Sequence, residues 1–99
     1  RMLDAAHDVG QMVNSLILAE QPELAELFVK RYVTASKDRD LPRMLPLYRV
    51  LHAMREGLLR SEWLVELEAE HPDRVALADD AARYFHLAGR TARDLLKSA

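Results

Sequence analysis

An all-α fold, a bundle of four main helices joined by short loops, is what this 99-residue chain predicts. Three observations lead there. Apolar residues recur every three or four positions from end to end, and no stretch alternates as a half-buried strand does. The pattern is interrupted at Gln21-Pro22, at Lys37-Asp38-Arg39-Asp40 and at Glu70-His71-Pro72-Asp73, which are prolines and charged residues suited to connections. The composition, 49% apolar and 30% charged, is that of one globular domain with one modest core.

The first helix is expected from about Met2 to Ala19, with Leu3, Val9, Met12, Val13, Leu16 and Ile17 as its apolar stripe. Gln21-Pro22 ends it, because proline disfavours helical backbone in the residue before it. Pro22 then suits the first turn of a second helix, with Glu23 and Glu26 near the positive end of its dipole. Leu24, Leu27, Phe28, Tyr32 and Val33 are its expected buried face, and the helix ends near Ser36. The third helix starts near Pro42 with Asp40 as its N-cap, or one turn later at Pro46. Leu47, Tyr48, Leu51, Met54, Leu58 and Leu59 form its expected buried stripe, and the pattern runs on through Trp63, Leu64 and Leu67. Gly57, inside this helix, costs about 1 kcal/mol relative to alanine, and a close helix crossing is one reason to keep it. The fourth helix follows Asp73, its inner face drawn from Val75, Leu77, Ala78, Ala81, Ala82, Tyr84, Phe85, Ala88, Ala92, Leu95 and Leu96. No internal repeat and no low-complexity segment is present.

Charge narrows the function classes. The net charge is −2 with both signs interspersed, which argues against nucleic acid or an anionic membrane as a partner. There are no cysteines, hence no disulfide, thiolate metal site or cysteine nucleophile, and the count fits a reducing, cytoplasmic setting. The longest uncharged stretch, Val9 to Ala19, is too short to span a bilayer. No serine has a nucleophile-elbow context, and the three glycines form no phosphate loop.

The sharpest cluster of acid and base groups is Asp4, His7 and Asp8, at i, i+3 and i+4 of the first helix. Its functional reading is a metal or phosphate-handling face; its plain reading is a first turn whose acids oppose the helix dipole. His52, between Leu51 and Ala53, reads as a hydrogen-bonded packing histidine, and His86 as lying on the outer side of the fourth helix. Trp63, Tyr84 and Phe85 read as core, and Arg39, Arg43, Arg49, Arg55 and Arg60 as a solvated surface.

Four stretches resemble one family. Arg1-x-x-Asp4-x-x-x-Asp8-Val9 is similar to the segment that follows the catalytic core in aminoglycoside-phosphotransferase-like kinases. Pro22, Leu24, Ala25, Phe28, Tyr32 and Asp38 match a P-x-L-A-x-x-F-x-x-x-Y-x-x-x-x-x-D pattern in one bacterial branch of it. Leu45-Pro46-Leu47-Tyr48-Arg49 resembles that branch's L-P-F-Y-[KR], and within Ala82-Arg83-Tyr84-Phe85-His86-Leu87-Ala88 the run from Tyr84 to Ala88 resembles the Y-F-x-L-A end of its A-x-x-Y-F-x-L-A. The four fall in the family's order and spacing. The resemblance implies that residues 1–99 are a single helical domain forming the C-terminal part of a larger phosphotransferase. No catalytic residue is then expected here. Asp4, His7 and Asp8 would be supports for the catalytic loop, facing a partner that is either the N-terminal catalytic lobe or another protein chain. No cofactor is expected in this chain; ATP and Mg would belong to the parent. A fragment torn from such a parent is expected to leave an apolar patch near the first helix and to form homo-oligomers.

Ala6-His7-Asp8-Val9-Gly10 also resembles the central His-Asp motif of HD-domain phosphohydrolases, and on that resemblance His7 and Asp8 would bind a divalent metal. The remaining alternative is a non-catalytic helical interaction or regulatory module.

Overall fold

The computed structural model describes residues 2–98, with side chains from residue 5 onward, and contains four helices in the order α1 (Met2–Leu18), α2 (Pro22–Ser36), α3 (Leu41–Glu66) and α4 (Arg74–Lys97). No strand occurs among the described residues. The molecule is elongated, 50 × 25 × 25 Å, because α3 is 26 residues long and α1 and α4 are arranged along it.

Each helix end has a local cause. α1 stops where Glu20 takes a left-handed backbone (φ 60), so that the Glu20 amide bonds to the Ile17 carbonyl and the Gln21 amide to the Leu16 carbonyl. Pro22 follows as the first residue of α2, where it lacks only an amide that had no helical partner. α2 ends at Lys37, also left-handed (φ 58), whose amide bonds to the Val33 carbonyl. The cap of α3 differs from the expected Asp40, whose side chain makes no capping bond. The Asp38 carboxylate instead accepts from the amides of Asp40 and Leu41, at 3.0 and 3.2 Å. Such a cap stabilises by about 1 kcal/mol. Pro46 lies inside α3 and does not delay its start, since it falls on the helix's second turn. The far ends of α1 and α3 are both held from α4: Arg83 donates to the Leu18 carbonyl, and Arg74 to the carbonyls of Leu64 and Leu67.

α3 is the central element. α4 returns along it in antiparallel sense, so that Arg74 reaches Leu64 near the connection while Phe85 meets Gly57 further on. α1 lies on α3 in parallel, Gly10 beside Tyr48 and Asn14 beside His52. α2 folds back on α1 and scarcely touches α3. The core therefore divides in two. One cluster is Ala6, Val9 and Val13 of α1, Ala25 of α2, and Leu41 and Leu45 of α3, with Phe28, Tyr32 and Tyr48 packed around it. The second is Ala53, Leu87 and Ala88 with Val50 and Tyr84, and Ile17 borders both.

Gly57 sits at the expected close crossing. A β-carbon there would lie 2.7 Å from the Phe85 ring, well inside contact distance. The buried face of α3, however, is not the expected one. Leu41, Leu45, His52, Ala53 and Gly57 are inside, whereas Leu47, Leu51, Met54 and Leu58 are outside, with Leu51 54% and Leu58 53% exposed. The reason is tight approach: α4 packs on the small residues of α3, leaving the large ones no place between the two helices. Trp63 is half exposed rather than core, with Arg60 stacked above it and above Tyr84. Leu24 and Leu27 are half exposed because the smaller Ala25 faces α1 in their stead. Among the expected inner residues of α4, Val75, Ala78, Ala82 and Leu96 are exposed, since Ala81, Leu87, Ala88 and Thr91 fill the contact.

Candidate functional site

The first helix carries the predicted cluster. The side chain of Asp4 lies outside the described residues. His7 is half buried and Asp8 is exposed, as successive residues project about 100° apart around a helix. Asp8 lines a shallow surface recess of about 280 Å³ with Gln11, Met12 and Ser15. Among the described residues, no group of three or more His, Asp or Glu is placed to hold a metal ion. No third ligand joins His7 and Asp8 from the described part of this chain.

The best-built polar feature lies two turns further along α1. Asn14 is fully buried (0% exposed), and its amide is spent on three hydrogen bonds. Its nitrogen donates to the Arg49 carbonyl at 2.9 Å and pairs with His52 Nδ1 at 2.9 Å, while its oxygen accepts from Arg49 Nε at 2.9 Å. Because an amide nitrogen can only donate, His52 Nδ1 is the acceptor and the proton of the neutral ring is on Nε2. The cluster fixes the rotation and register of α1 on α3, since any slip leaves several buried groups without partners. No buried side-chain nitrogen or oxygen among the described residues lacks a partner. Sequence reading identified His52 correctly as a hydrogen-bonded packing residue. It overlooked Asn14, although a lone amide within the apolar run Val9, Val13, Leu16 and Ile17 was the available signal.

Burial lowers the His52 pKa below its ordinary 6.5, against a smaller opposing pull from Glu56 and with lesser help from His7, Arg55 and Arg60. The folded state then resists protonation that the unfolded chain accepts. Stability is complete above the unfolded pKa, near 6.5, and is lost as pH falls below it toward the lower folded value. Urea unfolding at stepped pH is expected to show this decline, and His52→Gln, which keeps an acceptor for Asn14, is expected to flatten it. An undiminished slope in that variant would rule out His52 as its source.

Two further surfaces complete the inventory. Along the outer face of α3, Leu47, Leu51, Met54, Leu58 and Val65 form an exposed apolar seam at alternating spacings of four and three, with Ser61 completing the series. The apolar patch expected near the first helix is not there: among the described residues of α1 only Met12 is a large exposed apolar residue, because Val9, Val13, Leu16 and Ile17 are turned toward α2 and α3. On the other side, a cleft of about 980 Å³ runs between the α1–α2 elbow and α4, lined by Ile17, Leu18, Glu20 and Pro22 against Arg83, His86 and Arg90. None of the described helices is long and apolar enough to cross a membrane.

No protein-family model, no curated protein and no solved structure matches the chain.

Proposed function

We propose that this chain is the helical C-terminal lobe of a kinase-like small-molecule phosphotransferase, bracing the catalytic loop and walling the acceptor pocket without transferring phosphate itself. The observation that carries this reading is the order and spacing of the four family-like stretches. Val9, Ala25, Phe28, Tyr32, Leu45 and Tyr48 come from three separate stretches of the resemblance and pack in one cluster; Tyr84, Leu87 and Ala88, from the fourth, belong to the second cluster. Asp38 caps α3 and Pro22 opens α2. Apolar residues of any folded chain meet in its core, so the packing is consistent with the resemblance and its weight lies in the order and spacing of the four stretches. The apolar seam on α3 adds support, because a lobe within a larger protein leaves such a face for its neighbour. In this reading Asp8, exposed on α1, and His7 beside it face the catalytic lobe together with Asp4, as supports rather than catalysts. ATP and magnesium bind in that lobe.

The test is the reading frame upstream of Arg1 in the encoding DNA. The expected result is an H-G-D-x-H-x-x-N stretch followed by a strand bearing a metal-binding aspartate, and an encoded protein whose transfer of phosphate is abolished when residues 1–99 are deleted. A start codon at or just before Met2 would overturn the reading. The seam would then favour the other one, a helical module that docks a partner helix along α3.

A further inference from the structure

The exposed seam of α3 repeats like one side of a coiled coil. Leu47, Leu51, Met54 and Leu58 follow one another at steps of four, three and four, and Ser61 and Val65 continue the count, so that all lie on one stripe of the helix. Leu51, Met54, Leu58 and Val65 are 54%, 40%, 53% and 84% exposed, and none of them belongs to either core cluster. At 1.5 Å per residue the stripe from Leu47 to Val65 is about 27 Å long. A second helix laid along it would take a continuous row of large apolar side chains out of water.

Charge decides which helix fits. Arg55 and Glu62, both exposed, stand seven residues apart on one flank of the stripe, and both line a recess of about 460 Å³ together with Leu51, Met54, Leu58 and Leu59. They are about 10 Å apart along the helix axis, too far to pair with each other. Among the described residues neither forms an ion pair. The opposite flank carries Val50 and Gly57, which are uncharged and packed toward α4. A second α3 laid antiparallel on the first, about a two-fold axis, brings like flank beside like flank. With that axis level with Leu58 and Leu59, positions 55 and 62 are equally far from it on either side. Arg55 of each copy then meets Glu62 of the other, so the ion pair forms twice, while Leu58 of both copies lies at the axis. A parallel pair instead sets the charged flank of one copy beside the uncharged, α4-covered flank of the other, and no charge is matched. A surface complementary to itself under a two-fold axis is the condition for an isologous dimer.

We infer that the α3 seam takes a second copy of this chain, as an antiparallel homodimer with Leu51, Met54 and Leu58 at its centre and Arg55 paired with Glu62 of the other copy. The apolar stripe supplies the attraction; the two ion pairs set orientation and register. The inference does not rest on the kinase reading. The face given there to a catalytic lobe is on α1, and the reading frame upstream of Arg1 and the pairing of α3 can each fail without the other.

The experiment is sedimentation equilibrium of the 99-residue chain over a concentration series. A reversible monomer–dimer equilibrium is expected. Leu58→Glu is expected to leave only monomer with its helical circular dichroism unchanged, since the side chain is exposed in the single chain. Arg55→Glu and Glu62→Arg are each expected to weaken the dimer by about tenfold, because two attractive pairs become two repulsive ones, each worth a fraction of a kcal/mol. The two substitutions combined are expected to restore it, as the pairs re-form with their signs exchanged. A chain that stays monomeric up to about 1 mM would overturn the inference and leave the seam to a partner of another kind. A dimer indifferent to Leu58→Glu would place the interface elsewhere, and a double variant as weak as the single ones would rule out the antiparallel pairing.

Discussion

Replacing Asn14 by alanine is expected to lower stability by about 2–4 kcal/mol, although it removes only one side chain from a helix surface. Three hydrogen bonds disappear together: the buried His52 Nδ1 is left without a donor and the part-buried Arg49 Nε without its acceptor, while the Arg49 carbonyl, inside α3, keeps its helical partner. The cost is dominated by those stranded partners, because a net hydrogen bond is worth only about 1 kcal/mol while an orphaned buried group costs about 1–3 kcal/mol. Alanine is also the better helix former, by a few tenths of a kcal/mol, which offsets little of this. Urea unfolding should show a lower midpoint at an unchanged slope. A loss below about 0.5 kcal/mol would mean that the cluster is not what locks α1 to α3. Asn14→Asp gives a sharper version of the test. A carboxylate cannot donate to His52 Nδ1 but attracts its protonated form, so the decline of stability on acidification through the His52 range is expected to reverse sign.

The second large effect is expected at Gly57. Gly57→Val places a branched side chain where even a single β-carbon would lie 2.7, 2.8 and 2.9 Å from three atoms of the Phe85 ring. Overpacking of this kind costs about 1–3 kcal/mol, and it competes with a gain of under 1 kcal/mol from replacing a helical glycine. The ring cannot yield freely, since turning it outward exposes apolar surface that now lies between α3 and α4. A destabilisation of roughly 1–3 kcal/mol is therefore expected, largely recovered when Phe85→Leu is introduced into the same background. A double-mutant cycle reads this directly: a coupling near zero between positions 57 and 85 would show that the crossing does not depend on the missing side chain. The two expectations concern different elements. Asn14 fixes α1 on α3, whereas Gly57 sets how closely α4 approaches α3.

What the amino-acid sequence by itself determined was the set of helices and their ends. Pro22, the charged links and the three-and-four spacing are local signals, and helix formation is a local event, so α2 begins and ends where the pattern places it. The close crossing at Gly57 and the packing role of His52 were legible for a related reason: a helical glycine and a histidine inside an apolar run are costly unless tertiary contacts compensate. The tertiary structure alone decided which apolar residues are buried. α3 carries both a small-residue face and a large-residue seam, and periodicity cannot rank two stripes on one helix; the large stripe was expected inside and lies outside. Small residues won because α4 comes closer against Ala53 and Gly57 than it could against leucines. The site follows the same division. His7 and Asp8 could be named from their spacing, but the joining of Asn14 to Arg49 and His52 spans 35 and 38 positions and exists only once α1 and α3 have packed.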